Sequence, residues 1–329
     1  QLLVSADETK NITGTDDNSG LAYTNLNMIF DANGSAPFHF TFPDAGKIQL
    51  HANLNVPEPS PNPDFDPAFT LTGSSNEFVV RPFTFDLGLT GDYEASNSGG
   101  TRFVSAGSDF SMRVRAVNWQ AIDDTNNDGF PDAGSDVTNN TSTPNFGQEK
   151  NSSLQSLVVT HTLILPNPGN SGNLTSTSIN TSVGAGFFTD GIMDGNPAVN
   201  LSWSEVGIID LEVTLDNYLL ASTANIAGVK TNVGRFYPAS FSLISSTVSN
   251  SCGSFSYMDQ PGMSVSYELE ARNTAGIKTL NYDGDFAKAT LSLVAENNNE
   301  GTNYQSRLNG FNTTSWSNGD YVYVDDGRF

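Results

Sequence analysis

The chain has 329 residues, 37% hydrophobic, 10% aromatic and only 15% charged, with a net charge of −22. Abundant Phe and Tyr in a patterned chain exclude a disordered class, and a field of that sign excludes nucleic acid and anionic lipid surfaces as partners. No apolar run approaches the roughly 20 residues a membrane-spanning helix needs. The lone cysteine, Cys252, has no partner for an internal disulfide.

Helical periodicity is almost absent, and apolar/polar alternation recurs throughout. In chain order, FHFTF sets Phe38, Phe40 and Phe42 on one face with His39 and Thr41 on the other. KIQLHANL turns Ile48, Leu50, Ala52 and Leu54 inward and His51 outward. FTFDLGL alternates through Phe83, Phe85, Leu87 and Leu89. DFSMRVRAV buries Phe110, Met112, Val114 and Ala116 and exposes Arg113 and Arg115. LVVTHTLIL leaves His161 part-buried, IIDLEVTL buries Ile209 to Leu215 at alternate positions, and MSVSYELEA does the same from Met263 to Ala271. Gly, Asn, Asp, Pro and Ser clusters separate the runs. One wet and one buried face on many short strands predict β-sandwiches.

The chain is also similar to itself. AGSDFSMRVRAVN (106–118) aligns with PGMSVSYELEARN (261–273), pairing Gly107 with Gly262, Ala116 with Ala271 and Asn118 with Asn273. RPFTFDL aligns with RFYPASFSL, and Asn145 with Asn281. FHFTFPDAGKIQLHA aligns with VNLSWSEVGIIDLEV, pairing Phe42 with Trp203, Gly46 with Gly207, Ile48 with Ile209 and Leu50 with Leu211. The shared glycine supplies a turn or bulge that side chains forbid. The period is about 155 residues and predicts a partial unit at 1–80, a complete one at 81–234 and a second partial unit at 235–329. The fold expected is all-β: tandem immunoglobulin-like β-sandwich domains in an elongated array. The start at Gln1 rather than Met predicts a mature or cut piece of a longer protein.

These motifs carry a resemblance. The two aligned segments at 106–118 and 261–273 resemble a strand and following loop of immunoglobulin-like repeats in bacterial surface adhesins. FVVRPFTFDL, WSEVGIIDLEV, VGRFYPASFSL, CGSFSYMDQP and LNYDGDFAKA together resemble the uncharacterised domain of MshQ-type proteins, which accompany the mannose-sensitive haemagglutinin, a type IV pilus. The resemblance runs from about Phe38 to Ala289 and implies a large exported Gram-negative surface protein tied to a pilus and to attachment. It implies no chemistry. Many members carry a lectin-like domain before this region, which would place sugar binding elsewhere in the parent.

The stretch DDTNNDGFPD fits a calcium loop. Asp124, Asn126 and Asp128 occupy positions 1, 3 and 5, Gly129 the sharp turn, the Phe130 carbonyl position 7 and Asp132 position 9. Oxygens at alternate positions curl round one hard cation. Position 12 is Ser135, where an EF-hand has Glu, so Asp136, Asp123 or water would supply the last ligand; the loop resembles the non-EF loops of thrombospondin-type or dockerin-like proteins. The rival reading is an empty, solvated loop. It lies in an insertion of about 19 residues relative to the third unit, and long loops are disordered or held by something. Acidic turns at Asp64 and Asp66, at Asp190 and Asp194, and at Asp283 and Asp285 lack the full spacing and read as β-turns.

Trp203 aligns with an apolar core position, whereas Trp119 and Trp316 are the exposed-aromatic candidates for a ligand site. Cys252 reads as a small buried apolar side chain, with a bond to an outside cysteine as the alternative. HExxH, GxSxG and Cys/His metal clusters are absent from the sequence, and no acid sits in a run that would bury it and raise its pKa. The function expected is therefore non-catalytic: a structural stalk segment of an extracellular or pilus-associated adhesin with a Ca²⁺ staple, its partners a type IV pilus or other surface components. A glycan- or pilin-binding module is the alternative, and a polysaccharide hydrolase has least support.

Overall fold

The computed structural model describes residues 2–5, 29–56, 69–149, 156–176, 187–193, 199–221, 225–296, 301–308 and 314–327. Among these, regular structure is strand with short 3-10 turns, and no helix is long and apolar enough to cross a membrane. The protein is all-β, built of tandem β-sheets that pack as immunoglobulin-like sandwiches.

The first sheet consists of β1 (Leu2–Ser5), β2 (Gly46–Val56), β3 (Phe69–Ser74) and β4 (Phe78–Val80). Central β2 pairs antiparallel with β1 on one edge and with β3 and then β4 on the other. The middle region supplies β5 (Thr84–Leu89), β6 (Asp109–Val117), β7 (Val158–Leu165), β8 (Leu174–Ser176), β9 (Ile192–Met193), β10 (Val199–Trp203), β11 (Gly207–Leu215) and β12 (Ile226–Phe236). They form two sheets, one ordered β5-β6-β10-β8 with short β9 also on β6, the other β12-β11-β7. The last region forms a sheet β13-β14-β15 from Ser240–Ser249, Met263–Arg272 and Asp320–Gly327.

The two middle sheets close on one core. Phe110, Met112, Val114 and Ala116 of β6, with Trp203 of β10, meet Ile209, Leu211, Val213 and Leu215 of β11, the faces alternation predicted. A second core gathers Val265, Tyr267 and Ala271 of β14 with Tyr282, Trp316, Tyr321 and Tyr323, and takes Val206 and Ile208 from the middle sandwich. Strand β11 thus faces one core from Ile209 onward, while the residues at its start serve the next. Ile208 and Ile209 point to opposite faces, as neighbours on a strand do, and the register with β12 shifts just before them, between Gly207 and Ile208. Gly207 has φ +142 and Gly46 has φ +149, a region closed to side chains, so the shared glycine is a backbone requirement.

Four sequence expectations change. Residues 38–42 form no strand, because Pro37 and Pro43 bracket them and proline cannot donate to a ladder; Phe38 and Phe40 are exposed and pack on one another, with Phe40 also against Phe78. On β2 Ile48 is the buried apolar side chain among the described residues, and Leu54 lies open, since no second sheet faces β2 among the described residues. Trp316 is buried in the second core, its indole donating to the Ala289 carbonyl. Cys252 is exposed, at a tight turn bridged to Phe255.

A Cβ at position 207 would lie 2.2 Å from the Leu165 carbonyl oxygen. Gly207→Ala is expected to lower stability by more than about 1 kcal/mol, read as a fall in the urea midpoint at unchanged slope.

Candidate functional site

The insertion leaves β6 at Asn118 and rejoins the frame at Thr143, whose amide donates to the Ala116 carbonyl. Inside it, side-chain oxygens fold the backbone inward. Asp124 accepts from the amides of Asp128 at 3.0 Å and Gly129 at 3.1 Å and from the Trp119 indole at 2.9 Å. Asn126 accepts from Asp128 N, and Asp128 from Phe130 N. Asn127 and Gly129 have φ +59 and +84, the left-handed corners such a curl needs. Asp132 accepts from the amide and hydroxyl of Thr125, which hold its carboxyl below the ordinary 3.8. Asp136 stands apart as the cap of the 3-10 turn 137–139, accepting from the Thr138 amide and hydroxyl.

Arginines hold this insertion. Arg81 Nη2 donates to the Gly129 carbonyl at 2.9 Å, and its guanidinium lies 5.7 Å from the centre of the exposed Phe130 ring. Arg115 reaches the carbonyls of Asn140 and Thr138 at 2.7 Å while also bonding Asp86. The outward face of β6, expected to be wet at Arg115, is therefore roofed by the insertion. At its base, buried Asn140 donates to buried Asp123, and Asn118 Oδ1 and Asn140 Oδ1 are buried with no hydrogen-bond partner.

A second constellation was not anticipated from sequence: the joints between units. Asp44, two residues before Gly46, accepts from the Asn145 amide at 3.0 Å, and Asn145 Nδ2 donates to the Ala45 carbonyl at 2.9 Å. Glu205, two residues before Gly207, accepts from the amides of Leu280 at 2.9 Å and Asn281 at 3.1 Å, and Asn281 Nδ2 donates to the Val206 carbonyl at 3.0 Å. Thr143 and Thr279 each cap the turn by bonding Ala116 and Ala271. The same joint is built twice, from an acid–x–Gly step in one unit and a Thr–x–Asn turn in the next. The signal lay in the aligned Gly46/Gly207 and Asn145/Asn281 pairs, but nothing in the spacing connected one pair with the other.

Beside the second joint lies a cleft of about 770 Å³ between Asn97–Ser98, the Pro166–Asn170 segment and the Asp283–Phe286 turn. In that turn Asp283 serves backbone geometry, accepting from Gly284 N and Asn318 N. Asp190, at φ +52, also sits in a turn; Asp64, Asp66 and Asp194 lie outside the described residues.

Asp86, Asp123, Asp124, Glu149 and Glu205 are buried against expectation, and for the two glutamates burial raises the pKa. Glu149 accepts from the Tyr218 hydroxyl and the Gly147 amide inside the middle core. Burial pushes its carboxyl above the ordinary 4.5, does the same to Glu205, and drives the Tyr218 hydroxyl well above 10. Their exposed-looking sequence neighbourhoods hid this, because tertiary packing closes over them. Among the described residues, only Glu268, Glu270 and Asp320 bring three carboxylates within 4.8 Å of one another. Lys278 bonds Asp320 at 2.9 Å and Arg272 bonds Glu270 at 2.7 Å, so that trio is already partnered by cations. Asp124, Asp128 and Asp132 of the insertion do not converge that closely. Trp119 remains 48% exposed, with its indole N–H directed at Asp124, while Trp316 is removed from the surface.

Three consecutive domains of the family DUF6701, a domain of unknown function, match the chain: the first Ig-like domain at 1–73, the second at 81–190 and the third at 205–328. That division assigns β11 and β12 to the third domain, although their apolar face closes the core over β6 and β10. No curated protein and no solved structure matches the chain.

A carboxyl with a raised folded-state pKa binds protons preferentially in the folded state, so its ionisation costs stability as pH rises through that value. Glu149 and Glu205 are therefore expected to add stability as pH falls from neutrality toward 4.5; Asp132 and Asp136 act in the opposite sense only below 3.8. Urea titrations across pH should show this rise, and a flatter slope in Glu149→Gln.

Proposed function

Starting from a chain that belongs to the DUF6701 family, we propose that it is a non-catalytic structural segment of a large exported protein at a Gram-negative cell surface, tied to a pilus and to attachment. The observation that carries this reading is the joint used twice. In both joints an acid from one unit accepts from the asparagine amide of the next, and that asparagine's side chain returns a bond to the preceding backbone. Repeated joints of that kind set the relative placement of successive domains, which is what a spacer requires. The resemblance to MshQ-type sequences supplies the surface and pilus context. Small-angle scattering of the full chain is expected to give an elongated particle, with a broader distribution of dimensions for Asn281→Ala. A compact particle, or turnover of a glycan panel abolished by a single carboxylate substitution, overturns it.

Calcium belongs to the same reading. The ligands would be Asp124, Asn126, Asp128, the Phe130 carbonyl and Asp132, with buried Asp123 behind them. What supports it is the curl, in which Asp124, Asn126 and Asp128 accept from the loop's own amides, and the unpartnered oxygens of Asn118 and Asn140 at its base. Asp136, occupied as a cap, is the weakest member of the set. The ion would supply charge neutralisation and a tighter loop, not a reaction. Chelation should lower the melting temperature of the middle sandwich and Asp128→Ala should abolish the difference; calcium at 100 times its dissociation constant adds about 2.7 kcal/mol. No shift and no metal by mass spectrometry reject it.

A glycan- or pilin-binding role is the second reading. Its support is the cleft beside the second joint, whose lining is rich in Asn and Asp, and the exposed indole of Trp119. Glycan-array binding by the chain that survives calcium removal would assign it to the cleft rather than to the loop.

A further inference from the structure

The two copies of the joint differ by one hydrogen bond. At the second joint both polar atoms of the Asn281 side chain are used: Nδ2 donates to the carbonyls of Val206 and Asn170, and Oδ1 accepts from the Asn170 amide at 2.6 Å. At the first joint Asn145 repeats the bond from its amide to the acid and the bond from Nδ2 to the preceding backbone. No donor meets its Oδ1, although the residue is only 6% exposed. A buried acceptor without a donor loses its solvation uncompensated, and native structures keep few such atoms. Asn145 lines a cavity of about 410 Å³, bounded also by Asp44, Pro144, Gln148 and the segment from Phe188 to Asp190.

The polar lining suits a ligand that donates. The side-chain N–H groups of both amides are already spent, Asn145 Nδ2 on the Ala45 carbonyl and Gln148 Nε2 on the Phe188 carbonyl. What they leave for a ligand is their oxygens. Two carboxylates join them, Asp44 from the step before β2 and Asp190 from the turn before β9, so the acids come from different units. Asp44 Oδ1 accepts from the amides of Ala45 and Asn145, which leaves Oδ2 as the atom a ligand would meet. None of the lining residues is a lysine or arginine. The charge of Asp44 also reaches buried Glu149, whose carboxyl is raised first by burial and further by that charge.

A hard metal ion fits these observations poorly. Calcium takes about six to eight oxygens at close range. Among the described residues three carboxylates converge within 4.8 Å only at Glu268, Glu270 and Asp320. The volume instead matches a small organic molecule, and Pro144 and Phe188 give it an apolar wall. A primary ammonium carries three donors and no acceptor, as an acceptor-lined cavity requires. One acid on each side of the joint calls for one ammonium at each end of a short apolar chain. We propose that this cavity binds a small aliphatic polyamine: one ammonium meets Asp44 and supplies the donor that Asn145 Oδ1 lacks, and a second meets Asp190. The ligand bridges the first unit and the middle sandwich, doing at the first joint what the Asn170 amide does at the second. The proposal does not rest on the surface location, on calcium or on the particle's shape.

The test is isothermal titration calorimetry of the full chain with 1,4-diaminobutane, at about 0.15 M salt so that diffuse attraction to the acidic surface is screened. Saturable one-to-one binding is expected, with none for 1,4-butanediol, which has the same carbon chain without charge. Asp190→Asn should weaken binding about 10-fold or more. Asp190 is exposed at φ +52, a conformation asparagine tolerates, so the fold should persist. Asp92→Asn removes the same charge from an exposed position outside the cavity and should leave the affinity unchanged. In isotope-labelled chain the side-chain amide signal of Asn145 should shift on binding while that of Asn281, already satisfied, stays in place. The absence of saturable binding overturns the proposal. So do equal binding of the diol, equal effects of the two substitutions, an unmoved Asn145 signal, or displacement of the diamine by equimolar calcium.

Discussion

The acceptance of backbone N–H groups by a buried carboxylate at the end of a sandwich is the interaction on which the arrangement of units depends. Glu205 gives up solvation to receive Leu280 N and Asn281 N, and its raised pKa says that desolvation outweighs those bonds in setting its charge. Hydrogen bonds to charged groups contribute about 1.5–3 kcal/mol, but only while geometry holds. A buried acid left without its donors is strongly unfavourable. The joint is therefore sensitive to small displacements, which makes it specific for one relative placement. Gly207 is required there from the backbone side, because its conformation is closed to side chains and a Cβ would meet the Leu165 carbonyl.

The insertion uses a different principle. Strong acidity would make such a loop repel itself, yet the few cations near it are spent where they restrain it. Arg81 clamps its tip and Arg115 its return, both through backbone carbonyls rather than through the carboxylates. The Asp and Asn side chains are left to fold the loop's own amides. That division of labour lets the arginines restrain the backbone while the acidic side chains organise the loop's own amides.

The two ends of the chain and its middle illustrate the same sandwich at different degrees of closure. Where both layers are present, side chains such as Trp203, Ile209 and Leu211 are wholly buried. Where one layer is present, strands of the same alternation leave Leu54, Leu243 and Val248 open. Alternation alone is satisfied in all three places; the energy of burial is realised only where a second sheet arrives.

By itself the sequence determined the strand periodicity, the repeat and the need for glycine at positions 46 and 207, because each is a local property: side chains alternate with a period of two, and a positive φ excludes a Cβ whatever surrounds it. The curl of the inserted loop was legible for the same reason, since its Asp, Asn and Gly residues act over a few positions. Tertiary structure alone decided what closes on what. It buried Glu149 beside Tyr218 and drew Trp316 inward from a Ser/Asn-rich stretch. It left Cys252 at the surface and refused a strand to FHFTF between two prolines. It joined Asp44 to Asn145 and Glu205 to Asn281 across long separations in the chain. Burial and pairing are relations between distant segments, and no window of sequence contains both partners.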